Sequence, residues 1–361
     1  MGFLRLLLLS LLALSSFRSF LVGWMLVQWV PASWSLRKRV QEAAWQHWES
    51  SSCIAPIKSL QSPALAVLDV QRHLDDALEY LETTYGSDWR RRPLLLKHLW
   101  TEDQLQDSSR RLSFEGLLQE NLTIPYFTDA RLEGALAPDA RGRVRDIVTN
   151  ASLGAPHKIG TQFLVQAYPE LVSEVAPTEL VTELFGDYFT PERVQSTLGF
   201  LPALTTVPVF VASGKRAASH AQEPVAADTP PAEARPYTAL HCEPIGNVAV
   251  QLSGRKRWTL VAPQYSKLIR PSTSPDGRAF FASWSTSYDH VPVHHVVTEA
   301  GDALWVPTWT WHRVDYIESE DMAIGASLFH FRILDYVHNN PLFAGLMIPA
   351  ILLELVGYST Q

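Results

Sequence analysis

Cysteine is almost missing: Cys53 and Cys242 are the only two in 361 residues. At most one bridge is possible, so no disulfide framework organises the fold. Positive charge is also in short supply, with 30 Lys and Arg against 37 Asp and Glu, a net of −7. Phosphate binding needs a basic footprint, so this balance argues against nucleic acid as a partner. There is no internal repeat and no nuclear or mitochondrial signal, and Met1-Gly2 lacks the Ser or Thr at position 6 that myristoylation requires. Apolar and aromatic residues are plentiful. They make up 47% of the chain, with 12 Trp and 15 Phe, enough to bury a large core.

The longest apolar stretch lies at the start. Arg5 precedes the run Leu6–Phe17, Arg18 interrupts it, and Phe20, Leu21, Trp24 and Met25 resume it. Residues 1–35 therefore read as a signal peptide or a signal anchor, with 6–31 long enough to span a bilayer. Two sequons follow, at Asn121 and Asn150. With the leader, they predict a glycosylated lumenal body in the endoplasmic reticulum or secretory pathway, tethered to the membrane through the N-terminal segment. The alternative is a cytoplasmic protein.

The chemistry concentrates in 237–263. Asn247–Leu252 and Lys256–Val261 read as two strands joined at Ser253-Gly254, a hairpin in this reading. Just before them stands His241-Cys242-Glu243. In extended chain, alternate residues share a face, so His241 and Glu243 project together and Cys242 points away. His312 follows in a frame of Gly301 and Pro307. Two imidazoles and one carboxylate on a β scaffold form the donor set of a non-haem Fe(II) site with open positions. His290, His294 and His295 suggest a second cluster, but neighbours in a strand face opposite sides, which argues against one.

With those residues in view, 237–332 resembles the JmjC, or cupin-like, Fe(II)- and 2-oxoglutarate-dependent oxygenases. The pattern is nearest that of the factor-inhibiting-HIF asparaginyl hydroxylases. That family places a Thr three residues before the first ligand, an Asn six after it and a Lys fifteen after it. Thr238, Asn247 and Lys256 occupy those places. The resemblance implies metal ligands His241, Glu243 and His312, with 2-oxoglutarate held by Thr238, Lys256, Asn247 and Ser327, and O2 at the remaining position. Glu243 stands where the nearest relatives carry Asp, although lysine-demethylase branches use Glu, and Ser327 where those nearest relatives carry Asn. Alternation sets Thr238 on the opposite parity to His241, so its role requires a bulge between them. Trp311 and Asn247 are also read as packing and polar support around the site.

The expected fold is mainly β with helices (α+β): a double-stranded β-helix, or jelly roll, with an N-terminal helical region. The expected division is a leader (1–35), an N-terminal α/β region (36–200), the jelly roll (201–335) and an apolar C-terminal helix (336–361). Residues 213–236, rich in Ala, Pro and Glu, are expected to form a disordered insertion. Leu74, Leu78 and Leu81 predict a helix over 68–85, Pro93–Lys97 a buried strand, 170–189 one or two surface helices broken at Pro177, and Val207–Ala212 a strand. The C-terminal helix is expected to pack, or to join a homodimer, rather than to cross a membrane. Implied activities are hydroxylation of a protein or peptide side chain, lysine demethylation, or a non-catalytic metal-binding cupin.

Overall fold

The computed structural model describes residues 65–107, 110–129, 138–176, 178–186, 205–214, 236–269, 271–273, 279–283, 291–317 and 321–355, together with Ala43. The leader, Cys53, Pro177, His290 and residues 215–235 of the expected insertion lie outside them.

The chain enters through strand β1 (Ala66–Asp69), helix α1 (Ala77–Tyr85) and strand β2 (Leu94–Lys97). The helix expected from residue 68 thus begins at Ala77. Residues 66–69 alternate buried and exposed, and pair in parallel with Leu94–Lys97. Asp69 then turns the chain, its carbonyl accepting from the Arg72 and His73 amides. Leu74, placed on the buried helical face by periodicity, is 61% exposed. Period-two burial at Ala66 and Leu68 outweighs the helical spacing.

A small ribbon, β3 (Thr123–Tyr126) with β4 (Ala140–Arg143), precedes α2 (Val144–Ser152) and β5 (Lys158–Thr161). Helices α3 (Leu171–Val175) and α4 (Thr178–Phe185) flank Pro177, as the sequence suggests. They are half-buried rather than superficial: Leu171, Val172, Val175, Val181, Leu184 and Phe185 sink into the main core.

The remaining strands are β6 (Thr205–Thr206), β7 (Val209–Ala212), β8 (Tyr237–Cys242), β9 (Gly246–Ser253), β10 (Lys256–Val261), β11 (Pro271–Thr273), β12 (Phe281–Ser283), β13 (His294–Thr298), β14 (Ala303–Val306), β15 (Trp311–Tyr316) and β16 (Ala323–His330). One sheet runs β1-β2-β14-β9-β16-β7-β5, with β6 beside β16; the other runs β11-β12-β8-β15-β10-β13. The four strands β7, β9, β14 and β16 therefore face β8, β10, β13 and β15, a jelly roll inside an α+β fold. The two sequence-read strands 247–252 and 256–261 are present, but they are not a hairpin. They belong to opposite sheets, and the chain crosses between them at Gly254, where φ is +62° and an added Cβ would sit 2.7 Å from the Met322 carbonyl oxygen.

Alternation sorts each strand. Val248, Val250 and Leu252 on β9, with Ile324, Ala326 and Leu328 on β16, pack outward against the helices. Ala249, Trp258, Leu260, Val296, Leu304, Val306 and Val314 fill the space between the sheets. Beyond the smaller sheet, α5 (Ile333–Asn339) and α6 (Pro341–Leu355) close the molecule, with Phe343 and Met347 packed on Leu240, Cys242 and Trp311. No helix among the described residues is long and apolar enough to cross a membrane.

Candidate metal centre

Strand alternation on β8 sends His241 and Glu243 to the interior and Cys242 the other way. The Cys242 thiol is fully buried in the apolar layer under α6, where burial raises its pKa well above the ordinary value. On the adjacent strand β15, His312 lies directly opposite His241 in register, and the two rings sit 4.1 Å apart between centroids. One ligand atom from each of His241, Glu243 and His312 falls within 4.8 Å of the others, and the His241 Nε2 to Glu243 Oε1 distance is 3.9 Å.

The histidine tautomers are set by the backbone. His241 Nδ1 lies 2.8 Å from the Ala239 carbonyl oxygen, and His312 Nδ1 lies 3.0 Å from that of Thr310. A carbonyl only accepts, so each Nδ1 carries the proton and each Nε2 keeps its lone pair for a ligand. Burial lowers the His312 pKa to about 4, which keeps that imidazole neutral near pH 7. The loop carrying His312 is tied to the other two residues. The Trp309 amide donates to the Glu243 carbonyl at 2.9 Å, and Thr310 closes a turn on Pro307. Trp309 holds a φ of +66° while fully buried, and its indole donates to the Tyr336 carbonyl at 2.8 Å. A bulky residue rarely adopts that conformation, so packing against α5 holds the loop in shape.

Lys256 opens β10, pairing with Tyr316, whereas Leu260 pairs with His312. It shares a face with Trp258 and Leu260, about 13 Å further along the strand than the histidines. It is 4% exposed and makes no ion pair among the described residues; its ammonium lies 5.4 Å from the Tyr316 ring and 5.7 Å from the Phe210 ring. Gly325 leaves the space it occupies, since a Cβ there would stand 3.0 Å from Nζ. Burial, with Lys158 adding like-charge repulsion, lowers the Lys256 pKa to about 7.

Thr238 reaches this region through an irregularity. His241 pairs with His312 and Thr238 with Val314, so three steps on β8 match two on β15. That bulge reverses the parity and turns Thr238 toward Lys158, whose ammonium donates to its hydroxyl at 2.9 Å. Lys158 was not among the residues singled out in the sequence. In His157-Lys158-Ile159-Gly160 nothing separates an inward lysine from a solvated one, yet it is 5% exposed.

Asn247 is 3% exposed on β9, opposite Val306 and Phe329, and its Oδ1 meets no hydrogen-bond donor among the described residues. Ser327 is 4% exposed on β16, on the same face as Gly325, and its amide donates to Pro208. Trp311 turns away from the metal residues, its indole bonded to Ser266 at 2.9 Å, and serves packing alone. His294 and His295 lie on opposite faces of β13, the latter beside Thr259. Asn121 and Asn150 are both exposed, the latter on α2.

Residues 162–332 match the family model of the cupin-like domain. That span contains every strand of the jelly roll together with His241, Glu243 and His312. Among the curated proteins, none matches the chain.

Proposed function

We propose that this protein is an Fe(II)- and 2-oxoglutarate-dependent oxygenase that hydroxylates a protein or peptide side chain. The observation that carries the reading is the pairing of two features inside one barrel. Two imidazoles and a carboxylate converge at one level, and the buried Lys256, whose Cα lies about 13 Å further along its strand, marks a cationic subsite near the Thr238 hydroxyl.

The donor set fits a first-row divalent metal, with His241 and His312 offering Nε2 and Glu243 a carboxylate oxygen, and three positions left open. A metal with bonds of about 2.0–2.2 Å would draw these atoms closer together than they now stand. The deep subsite fits the distal carboxylate of 2-oxoglutarate, with Lys256 as point charge and Thr238 as hydroxyl partner. The carbonyl of the Asn247 side chain, which has no donor, and the Ser327 hydroxyl are the polar groups available nearer the metal. When bound, iron and 2-oxoglutarate supply dioxygen activation, one oxygen atom going to the substrate C–H bond and the other to succinate as CO2 leaves.

The chain's own residues do the rest. Ala239 and Thr310 fix the ring tautomers, burial keeps His312 unprotonated, and Trp258 and Leu260 exclude water from the space between the two subsites. Retention of all three metal residues favours an enzyme over a non-catalytic cupin.

The test is succinate release from 2-oxoglutarate by the full chain with Fe(II) and ascorbate, with and without a panel of candidate peptides. Stimulation by peptide, with a mass gain of one oxygen, supports the reading. Absence of succinate under all conditions, with iron bound, would refute it.

A further inference from the structure

Lys158 and Lys256 come from different sheets, β5 at one edge of the larger and β10 inside the smaller. Both are buried, at 5% and 4% exposure. They converge on common walls. Gly160, two residues from Lys158 on β5, pairs with Phe210 on β7, and the same Phe210 ring lies 5.7 Å from the Lys256 ammonium. Thr238, bonded to Lys158 at 2.9 Å, is opposite Val314, two residues from the Tyr316 that pairs with Lys256. Each ammonium is thus within electrostatic reach of the other, and Lys158 is the like charge that acts on Lys256.

Two ammonium groups placed together in a dry barrel repel each other and lose hydration, an arrangement that an anion relieves. A carboxylate is the anion whose two oxygens accept from two such donors at once. The cosubstrate reading above needs only one lysine here, whereas the barrel brings two, the second bonded to Thr238 with its ammonium 4.6 Å from the Phe127 ring.

We propose that Lys158 is a second recognition residue for the cosubstrate, so that the distal carboxylate of 2-oxoglutarate is gripped between Lys158 and Lys256 with the Thr238 hydroxyl beside them. The inference rests on the cosubstrate reading above and extends it to a specificity. A 2-oxoacid without a distal carboxylate gains nothing from either lysine, so the pocket selects dicarboxylates through two cations rather than one.

The experiment is calorimetric titration of the Mn(II)-loaded full chain, under nitrogen, with 2-oxoglutarate and separately with pyruvate. Lys158→Met should weaken 2-oxoglutarate about 10- to 100-fold, the loss of one charge-assisted contact. Mn(II) and pyruvate affinities should stay unchanged, and Lys158→Arg should restore much of the loss. A merely structural lysine would move pyruvate and 2-oxoglutarate together, and that result would overturn the proposal. If Lys256→Met weakens 2-oxoglutarate and Lys158→Met does not, the second-lysine assignment fails while the cosubstrate reading stands. If neither substitution changes 2-oxoglutarate binding, both fail. Should Lys158→Met fail to fold, the parent protein still decides: a 2-oxoglutarate affinity no tighter than that for pyruvate also overturns the proposal.

Discussion

Replacing Lys256 with Met should stabilise the metal-free protein while disabling it. The side chain keeps its length and loses only the buried charge. Its pKa falls from an ordinary 10.5 to about 7, and each pH unit of displacement is worth about 1.4 kcal/mol. The fold therefore gives up about 4–5 kcal/mol to hold the ammonium at pH below 7, an upper figure because water entry and relaxation reduce it. The sign follows from proton counting. Between pH 7 and 10.5 the unfolded chain binds the proton that the native state has shed, so native stability contributed by this group rises across that window. Below pH 7 the penalty is fully present; above 10.5 it is gone. Denaturant titrations with EDTA at pH 6.5, 8 and 9.5 should show Lys256→Met more stable than the parent by about 2–4 kcal/mol at the lowest pH, the gap closing toward the highest. Adding saturating Mn(II) and 2-oxoglutarate should reverse the order, because only the parent gains from binding. A gap that does not change with pH, or a Met variant less stable at pH 6.5, would refute the assignment of a strained buried cation.

Four further outcomes are expected. His312→Ala should abolish stoichiometric Co(II) binding, read from the visible absorption of the bound ion, while leaving the far-UV circular dichroism unchanged. Gly325→Ala should cost about 1–3 kcal/mol in a thermal or denaturant melt, because its Cβ would stand 2.4 Å from the Val250 carbonyl and 3.0 Å from the Lys256 ammonium. If the body is lumenal, glycosidase digestion of protein expressed in eukaryotic cells should shift its mobility, and Asn121→Gln with Asn150→Gln should remove the shift. Ile348 and Leu352 on α6 are 51% and 53% exposed; if α6 joins a homodimer, light scattering should give twice the chain mass for the parent and the single mass for Ile348→Lys with Leu352→Lys.

Much of this fold was legible because its strands are dense in β-branched and apolar residues. Leu94–Leu96 is buried on both faces, Leu95 between the sheets and its neighbours toward the helices, so it reads as a continuous apolar run. The shared face of His241 and Glu243 and the inward-turned Lys256 also follow from period-two alternation. The pairing of strands did not follow. Asn247–Leu252 and Lys256–Val261 have every local mark of a hairpin, and only the alternative partners β16 and β14 on one side and β13 and β15 on the other decide otherwise. Lys158 was invisible for a related reason. A lysine's burial depends on which strands close over it, and no neighbour in the sequence records that Phe127 and Thr238 will lie against it. Leu74 erred the other way, since helical spacing says which residues share a face but not whether that face is covered.

The register that sets His312 against His241 has a kinetic consequence. The two are neighbours in space only because β15 returns to β8 after a long excursion, and closing that loop of about 70 residues costs roughly 4 kcal/mol of chain entropy. Little local pairing rewards the closure beforehand, because β9 to β14 intervene, β9 and β14 in the larger sheet and β10 to β13 in the smaller. Such a topology folds on the slow side, and the three ligand atoms do not exist as a set until the barrel is almost shut. An early-binding ion would find scattered, mutually distant donors in the nascent chain. A metal bound there would therefore arrive last, into a finished cup, and a chelator should strip it from a protein that stays folded.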